Sequence, residues 1–362
     1  MNKKITVASI FVSLLFTGFS AASNAKKDDL FNLSGYLMLD YDFFDESLLE
    51  DVTGQGSQSE VDIRRARLSL KSDFNKDWEG KFQLGFEDGV EIKDAYLEYK
   101  GWSFADVIVG QQKENFGLEK LIGSRKLLMI ERSMSTEAFA PGRSLGVSLE
   151  GELSSLLWQL GYYQPSGDEA KSAVTGRMVW LPWQEQQNLL HLGVAFSERD
   201  YGGNEFRINE TLEVNFADSL LEGKKIDTDT VSMQGLEALW LQDRFTLMAE
   251  WQQAGVTSIE QKTYDYEGGY VQFGYQLSGG SREYKNGKLG NSSKNGWELI
   301  GRYSELTLKE EGESAETYAI GFNYTLSKNF KFMGDYIKTE YFEDGASIGD
   351  GDAVSVRIQY SF

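Results

Sequence analysis

The chain has 362 residues, of which 41% are hydrophobic and 13% aromatic, with 38 Gly, 3 Pro, no Cys, a single His and a formal net charge of −20. Without cysteine it holds neither a disulfide scaffold nor a thiolate zinc site, and one histidine excludes enzymes that need two. The negative charge repels phosphate backbones, so nucleic acid is not an expected partner; abundant aromatics and scarce proline exclude collagen-like and disordered chains.

Residues 1–25 read as a secretory signal peptide. Lys3 and Lys4 precede a mostly apolar run, Ile5 to Phe19, and Ser23-Asn24-Ala25 places small residues at the two positions a signal peptidase reads. The run is short for a membrane anchor. Residues 26–362 then read as one domain without a transmembrane helix.

From residue 33 onward, apolar residues recur with period two, the mark of strands with two unlike faces. In 33–43, Leu33, Leu37, Leu39, Tyr41 and Phe43 oppose Ser34, Asp40 and Asp42. In 61–72, Leu68 and Leu70 set the apolar face, so Arg65, Arg67, Ser69 and Lys71 take the other. Arg64 falls on the apolar parity, where a bulge or a snorkelling side chain must accommodate it. Runs at 78–87, 92–100 and 104–111 follow. Alternation then stops for a connection rich in apolar residues, among them Phe116, Leu118, Leu121, Ile122, Leu127, Leu128, Ile130 and Phe139. These need a surface to pack on, and a connection this long is usually functional. It is expected to fold inward, as the third external loop, and narrow a pore. Its cations are Lys113, Lys120, Arg125, Lys126, Arg132 and Arg143, against Glu114, Glu119, Glu131 and Glu137.

Further runs span 143–153, 156–163, 172–181, 189–198, 231–241, 244–254, 268–278, 296–308, 315–326, 330–340 and 353–362. The tight turn at Gln242-Asp243 fixes the direction of 231–241 and places the alternating piece 206–216 inside an external loop, 199–230. It also makes 279–295 a long connection at the opposite end, which the residues leave free to fold back or not. The expected fold is therefore all-β: a transmembrane antiparallel β-barrel of 16 strands, apolar and aromatic toward lipid and polar toward a lumen. A soluble sandwich alternates too, but its turns are rich in proline.

The segments Glu60-Val61-Asp62-Ile63-Arg64-Arg65-Ala66-Arg67-Leu68, Lys93 to Tyr99, Gly110 to Glu119, Met129-Ile130-Glu131-Arg132 and Ala138 to Val147 resemble the phosphate-selective porin O and P family of bacterial outer membranes. Gly296-Trp297-Glu298-Leu299, Arg302-Tyr303-Ser304 and Gly321-Phe322-Asn323-Tyr324 extend the likeness, while 155–230 matches loosely. The resemblance implies a trimeric outer-membrane porin in contact with lipid, and a pore that conducts small hydrophilic anions. Arg65, Arg67, Lys113, Arg125, Arg132 and Arg143 match its cationic lining; Lys120 and Lys126 complete the candidate set. The chain departs from the family in its acidity, with Asp40, Asp42, Glu79, Glu87, Glu150, Glu152, Glu237, Glu250 and Glu298 on lumen parities.

Two ion preferences compete. Cations at a constriction act at short range and favour anions, phosphate or another oxyanion among them. The acidic wall favours a general or cation-preferring pore. In a bland alternative Arg65 and Arg67 pair with Asp94 and Glu98 and serve the wall alone. A barrel enzyme is disfavoured because His191, among Leu190, Leu192 and Val194, reads as a wall residue rather than a base. A plugged structural barrel is disfavoured because this many strands leave a water channel. No metal cage, phosphate loop or cofactor motif stands out, and the acidic stretch 40–51 lacks the spacing of a calcium loop.

Overall fold

The computed structural model describes residues 31–45, 58–165, 170–215, 221–278, 280–292 and 295–362. The expected signal peptide, 1–25, lies outside the described residues. Sixteen long strands follow in chain order: β1 (Phe31–Phe44), β2 (Gln58–Asp73), β3 (Trp78–Gly85), β4 (Glu91–Tyr99), β5 (Asp106–Lys113), β6 (Arg143–Leu153), β7 (Leu156–Gln164) and β8 (Ser172–Glu185). Then come β9 (Asn188–Asp200), β10 (Ile226–Gln242), β11 (Phe245–Ser258), β12 (Thr263–Gln276), β13 (Gly296–Leu308), β14 (Glu313–Thr325), β15 (Phe330–Glu343) and β16 (Ala346–Ser361). Each pairs antiparallel with the next, and β16 pairs with β1, so the sheet is a closed barrel without open edges. Every run expected from the alternation falls on one of these strands, with ends shifted by a few residues.

The segment at 206 is no wall strand. Glu205–Phe206 pairs with the start of β10, and Asn209–Glu210 pairs with Leu221–Glu222, all between β9 and β10.

Burial is inverted relative to a soluble protein. Leu33, Val109, Val147, Phe196, Val271 and Ile320 are exposed, while Asp40, Arg65, Arg177, Glu237, Glu250, Arg302 and Arg357 are buried. A soluble sandwich would bury the first set. An outward face this apolar is stable against lipid, and the inward face then carries the polar side chains. At the end that holds both termini, ring pairs form a belt: Trp78 with Tyr99 at 4.9 Å, Phe245 with Tyr275 at 4.6 Å, Trp297 with Tyr324 at 4.5 Å and Phe330 with Tyr360 at 4.9 Å between centroids. Such amphipathic rings suit a membrane boundary.

Tight turns occur at the terminus end, where Ser154, Gln186 and Asp243 adopt φ of 58°, 55° and 51°. The opposite end is not uniformly long-looped: Asp344 and Gly345 make an equally tight turn there, with φ of 48° and 77°.

The last residue completes the seam. Gly35 N–H donates to the Phe362 carbonyl at 3.1 Å, and Phe362 N–H returns a bond to the Gly35 carbonyl at 3.0 Å. A Cβ at position 35 would lie 2.5 Å from the Phe362 ring, so glycine is what lets the ring lie on β1. Deleting Phe362 is expected to lower the amount of assembled, heat-modifiable barrel in the outer membrane. Unchanged levels on unheated gels would contradict this role of the seam.

Candidate functional site

The connection between β5 and β6 contains two short helices, α1 (Leu118–Leu121) and α2 (Met134–Phe139), and a 3-10 turn, Ser124–Lys126. Phe116, Leu118, Ile122, Leu127, Leu128, Met129, Met134 and Phe139 are all buried in one hydrophobic cluster. Its polar contacts reach inward-facing side chains of distant strands. Glu250 on β11 accepts from the N–H groups of Leu118 and Glu119, both at 2.7 Å. Asp335 on β15 accepts from Ile130 N–H at 2.6 Å, and Asn323 on β14 donates to the Leu128 carbonyl at 2.8 Å. Glu114 accepts from Arg199 on β9 at 2.8 Å and Thr175 on β8 at 2.8 Å. Glu213, between β9 and β10, accepts from Met134 N–H at 3.2 Å and also bonds Arg302.

One acid of this connection has an unusual surrounding. Glu131 accepts from Arg64 at 2.9 and 3.0 Å, from Arg65 at 3.5 Å and from Arg357 at 2.6 Å. Arg357, on the last strand, also forks onto Asp40 of the first, at 2.7 and 2.5 Å. Arg64 reaches this group through a β-bulge. Met38 faces Arg65 and Leu39 faces Ile63, so Arg64 is the extra residue and turns inward beside Arg65. Burial raises the Glu131 carboxyl, but Arg65, Arg64 and Arg357 together hold it well below the usual carboxylate range.

Beside this knot lies a cavity of about 430 Å³, lined by nine cationic side chains and two carboxylates, Asp94 and Glu150. The nine are Arg65, Arg67, Lys81, Lys113, Lys120, Arg125, Arg132, Arg143 and Lys288. Tyr36 lines it too, with the Arg125 guanidinium 5.1 Å and that of Arg67 6.0 Å from its ring centroid. Arg125 also lines a second cavity of about 280 Å³, near the terminus end, with Lys126, Arg282, Lys328 and Lys331.

The family model for phosphate-selective porin O and P matches residues 31–362. The chain belongs to that family. Porin O of Pseudomonas aeruginosa is 25% identical over 397 aligned positions, covering 93% of this chain and 89% of that one. Among solved structures, an anion-selective porin from Comamonas acidovorans superposes with a TM-score of 0.62 at 15% identity, over 92% of this chain and 99% of that one. The trimer form of OmpT from Vibrio cholerae superposes with a TM-score of 0.59 at 11% identity, over 92% and 99%. The protein is a porin of the bacterial outer membrane.

Within the porin, seven of the eight candidate cations meet at the larger cavity; the eighth, Lys126, lines only the smaller one, beside Arg125. Their engagements differ. Arg143 bonds Asp94 at 2.6 Å, Arg67 bonds Glu87 at 2.9 Å, and Lys120 bonds Glu137 at 2.8 Å. Arg65 and Arg67 therefore do not pair with Asp94 and Glu98. Asp94 is taken by Arg143 and Lys81, and Glu98 by Lys100. Arg132 is a brace, spending its guanidinium on Glu137 at 3.1 Å and on the carbonyls of Glu119 and Ile122, each at 3.1 Å. Against burial, which raises it, Lys120 and Arg132 hold the Glu137 carboxyl down at about 2. Lys113 bonds only the carbonyls of Lys120 and Ile122. Among the described residues, Lys113, Arg125 and Lys288 form no ion pair, though Glu150 of the same cavity and Glu98 act on Lys288, and the buried Nη1 of Arg65 has no hydrogen-bond partner.

Sequence reasoning missed two of the nine. Lys81 shares its lumen parity with Glu79 and Gln83 and was there to be read. Lys288 comes from a connection without periodicity, so no pattern marks it. Arg64 was assigned to the apolar parity, which the bulge reverses.

Glu131→Gln leaves Arg64 and Arg65 without their charge partner and Arg357 with Asp40 alone. Breaking a buried ionic group of this kind costs about 3–5 kcal/mol. The variant is expected to lose heat stability and to show larger, noisier channels as the connection loosens. Wild-type melting and conductance would contradict the anchoring role.

Proposed function

We propose that this porin is a passive diffusion channel that prefers small anions, with the connection 114–142 acting as its constriction and the cationic cavity as its selective zone. The observation that carries the reading is the surplus of cations. Nine cationic side chains line the cavity against two carboxylates, Asp94 and Glu150, and among the described residues Lys113 and Arg125 form no ion pair. One unit charge about 4 Å from a passing ion is worth roughly 4 kcal/mol at an effective dielectric near 20. Charges beyond about 10 Å are largely screened at ordinary salt. A few bare cations at the narrow zone therefore outweigh a distant excess of acid. Guanidinium groups present fixed donors that suit oxyanions, so phosphate or a related oxyanion is a natural solute. The family's description names phosphate, and the Comamonas acidovorans porin is described as anion-selective, which supports this choice.

Catalysis has no part in this reading. Both ring nitrogens of His191 are engaged, Nδ1 with the Tyr284 hydroxyl at 2.8 Å and Nε2 with Glu237 at 3.0 Å. No free base remains on it.

The zero-current potential across a bilayer under a potassium chloride gradient is expected to have the sign of a chloride-preferring pore; a clear cation preference would sink the reading. Raising the pH extends the test. Burial, reinforced by the neighbouring Arg125 and opposed by Glu283, pulls the Lys126 ammonium below the usual lysine range; burial does the same to Lys288, with Arg177 and Lys81 adding to it and Glu150 and Glu98 opposing it. An ammonium with a lowered pKa loses its charge earlier as pH rises. Anion preference should therefore decline at pH values below about 10.4, the ordinary lysine pKa.

We further propose a homotrimer and removal of residues 1–25 on export. In mild detergent the purified porin should run at three times its chain mass and begin near Lys26. A monomer with intact barrel signals, or a retained leader, would overturn the corresponding half.

A further inference from the structure

Arg125 is the one residue, among those described, that lines both cavities. On one side of it is the cationic chamber of about 430 Å³. On the other is the cavity of about 280 Å³, walled in part by Arg282 and Ser292 of a hairpin made from Arg282–Lys285 and Lys288–Ser292. At such a junction the place of a charge counts as much as its sign, because attraction falls with distance and is screened beyond about 10 Å.

The backbone beneath Arg125 is fixed. Ser124–Lys126 is a 3-10 turn with a bond from Lys126 N–H to the Gly123 carbonyl at 2.7 Å, and Ile122 and Leu127 on either side are buried in the hydrophobic cluster. The side chain has no such anchor. The chamber's other arginines are each tied to a carboxylate: Arg65 to Glu131, Arg67 to Glu87, Arg132 to Glu137 and Arg143 to Asp94. Among the described residues Arg125 makes no ion pair and no side-chain hydrogen bond. What it meets is the ring of Tyr36, whose centroid lies 5.1 Å from the guanidinium carbon. A cation within about 6 Å of an aromatic centroid is attracted by the negative face of the ring, and more strongly where water is excluded. Tyr36 is only 7% exposed. It sits on β1, opposite Arg67 of β2 and Ser361 of β16, so the barrel seam fixes the ring. Arg67 lies 6.0 Å from the same centroid but has Glu87 to hold it.

We propose that Tyr36 is a positioning residue of the porin, its ring holding Arg125 at the neck between the two cavities so that a passing anion meets the guanidinium there. The inference rests on the anion-channel reading and adds an uncharged side chain of the first strand to the determinants of ion choice. A tyrosine that merely packed the wall would be replaceable by any ring of the same shape.

The test is the zero-current potential of channels that carry, at position 36, phenylalanine with no, one, two or three ring fluorines. Fluorine weakens the negative face of an aromatic ring with little change of shape. Tyr36→Phe keeps that face and is the reference. Along the series the chloride-to-potassium permeability ratio should fall stepwise, by about twofold or more at the third fluorine, as Arg125 leaves the neck. In an Arg125→Gln background the ratio should start lower and stay flat along the series, the pattern that isolates a coupling between these two residues. Each reading is made on channels already in the bilayer, so differences in assembly yield leave the comparison intact. An anion-preferring reference whose ratio is flat along the series overturns the role of Tyr36. An equal fall in the Arg125→Gln background overturns it as well, since the ring then acts through another group. A wild type without anion preference instead removes the underlying reading, and this inference with it.

Discussion

Glu131 lies beneath Arg64, Arg65 and Arg357, and much of the interior is organised around that contact. Arg357 belongs to the last strand and Asp40 to the first, so their fork spans the seam at which the barrel closes. Glu131 belongs to the connection between β5 and β6, so the same guanidinium ties that connection to the seam. The bulge at Arg64 adds a second arginine from β2 to the same carboxylate. Three distant parts of the chain are thereby joined through one acid, in a place where a lone buried charge of either sign would be costly.

The same principle explains how an acidic chain can enclose a basic chamber. The lumen-facing carboxylates are largely spent within the fold. Glu237 is held by Arg177 and His191, Glu298 by Arg282, Glu79 by Lys71 and Lys100, and Glu250 by backbone N–H groups and Tyr270. Each such contact fixes a backbone position or neutralises a cation. What is left over at the chamber is a surplus of positive charge. Net charge describes solubility and long-range steering; the local ledger describes the pore.

The strands were legible because their physics is local. Lipid on one side and water on the other impose period two on each strand, and a short run of sequence displays it without reference to any other. The inward fold of the hairpin 282–292 was not legible, because Tyr284 and Gly287 are placed by residues far away in sequence, His191 and Arg177 among them. The candidate site lies between these cases. Residue type and parity singled out Arg65 and Arg67 as lumen-facing, while Arg143 stood out as a charge of the long connection. They left open whether Arg132 is consumed by its own connection, and whether a bulge or a snorkelling side chain accommodates Arg64. Partners across the lumen decide whether a cation is bare, and alternation does not encode partners.

The central claim is that the local surplus of cations governs the chamber in spite of the acidity of the chain. Crystals of the porin soaked separately in bromide and in rubidium would test it most directly, through the anomalous scattering of each ion. The account predicts bromide beside Arg65, Arg125 and Lys113 in the chamber, with no rubidium there. Rubidium in the chamber and bromide absent from it would contradict the account.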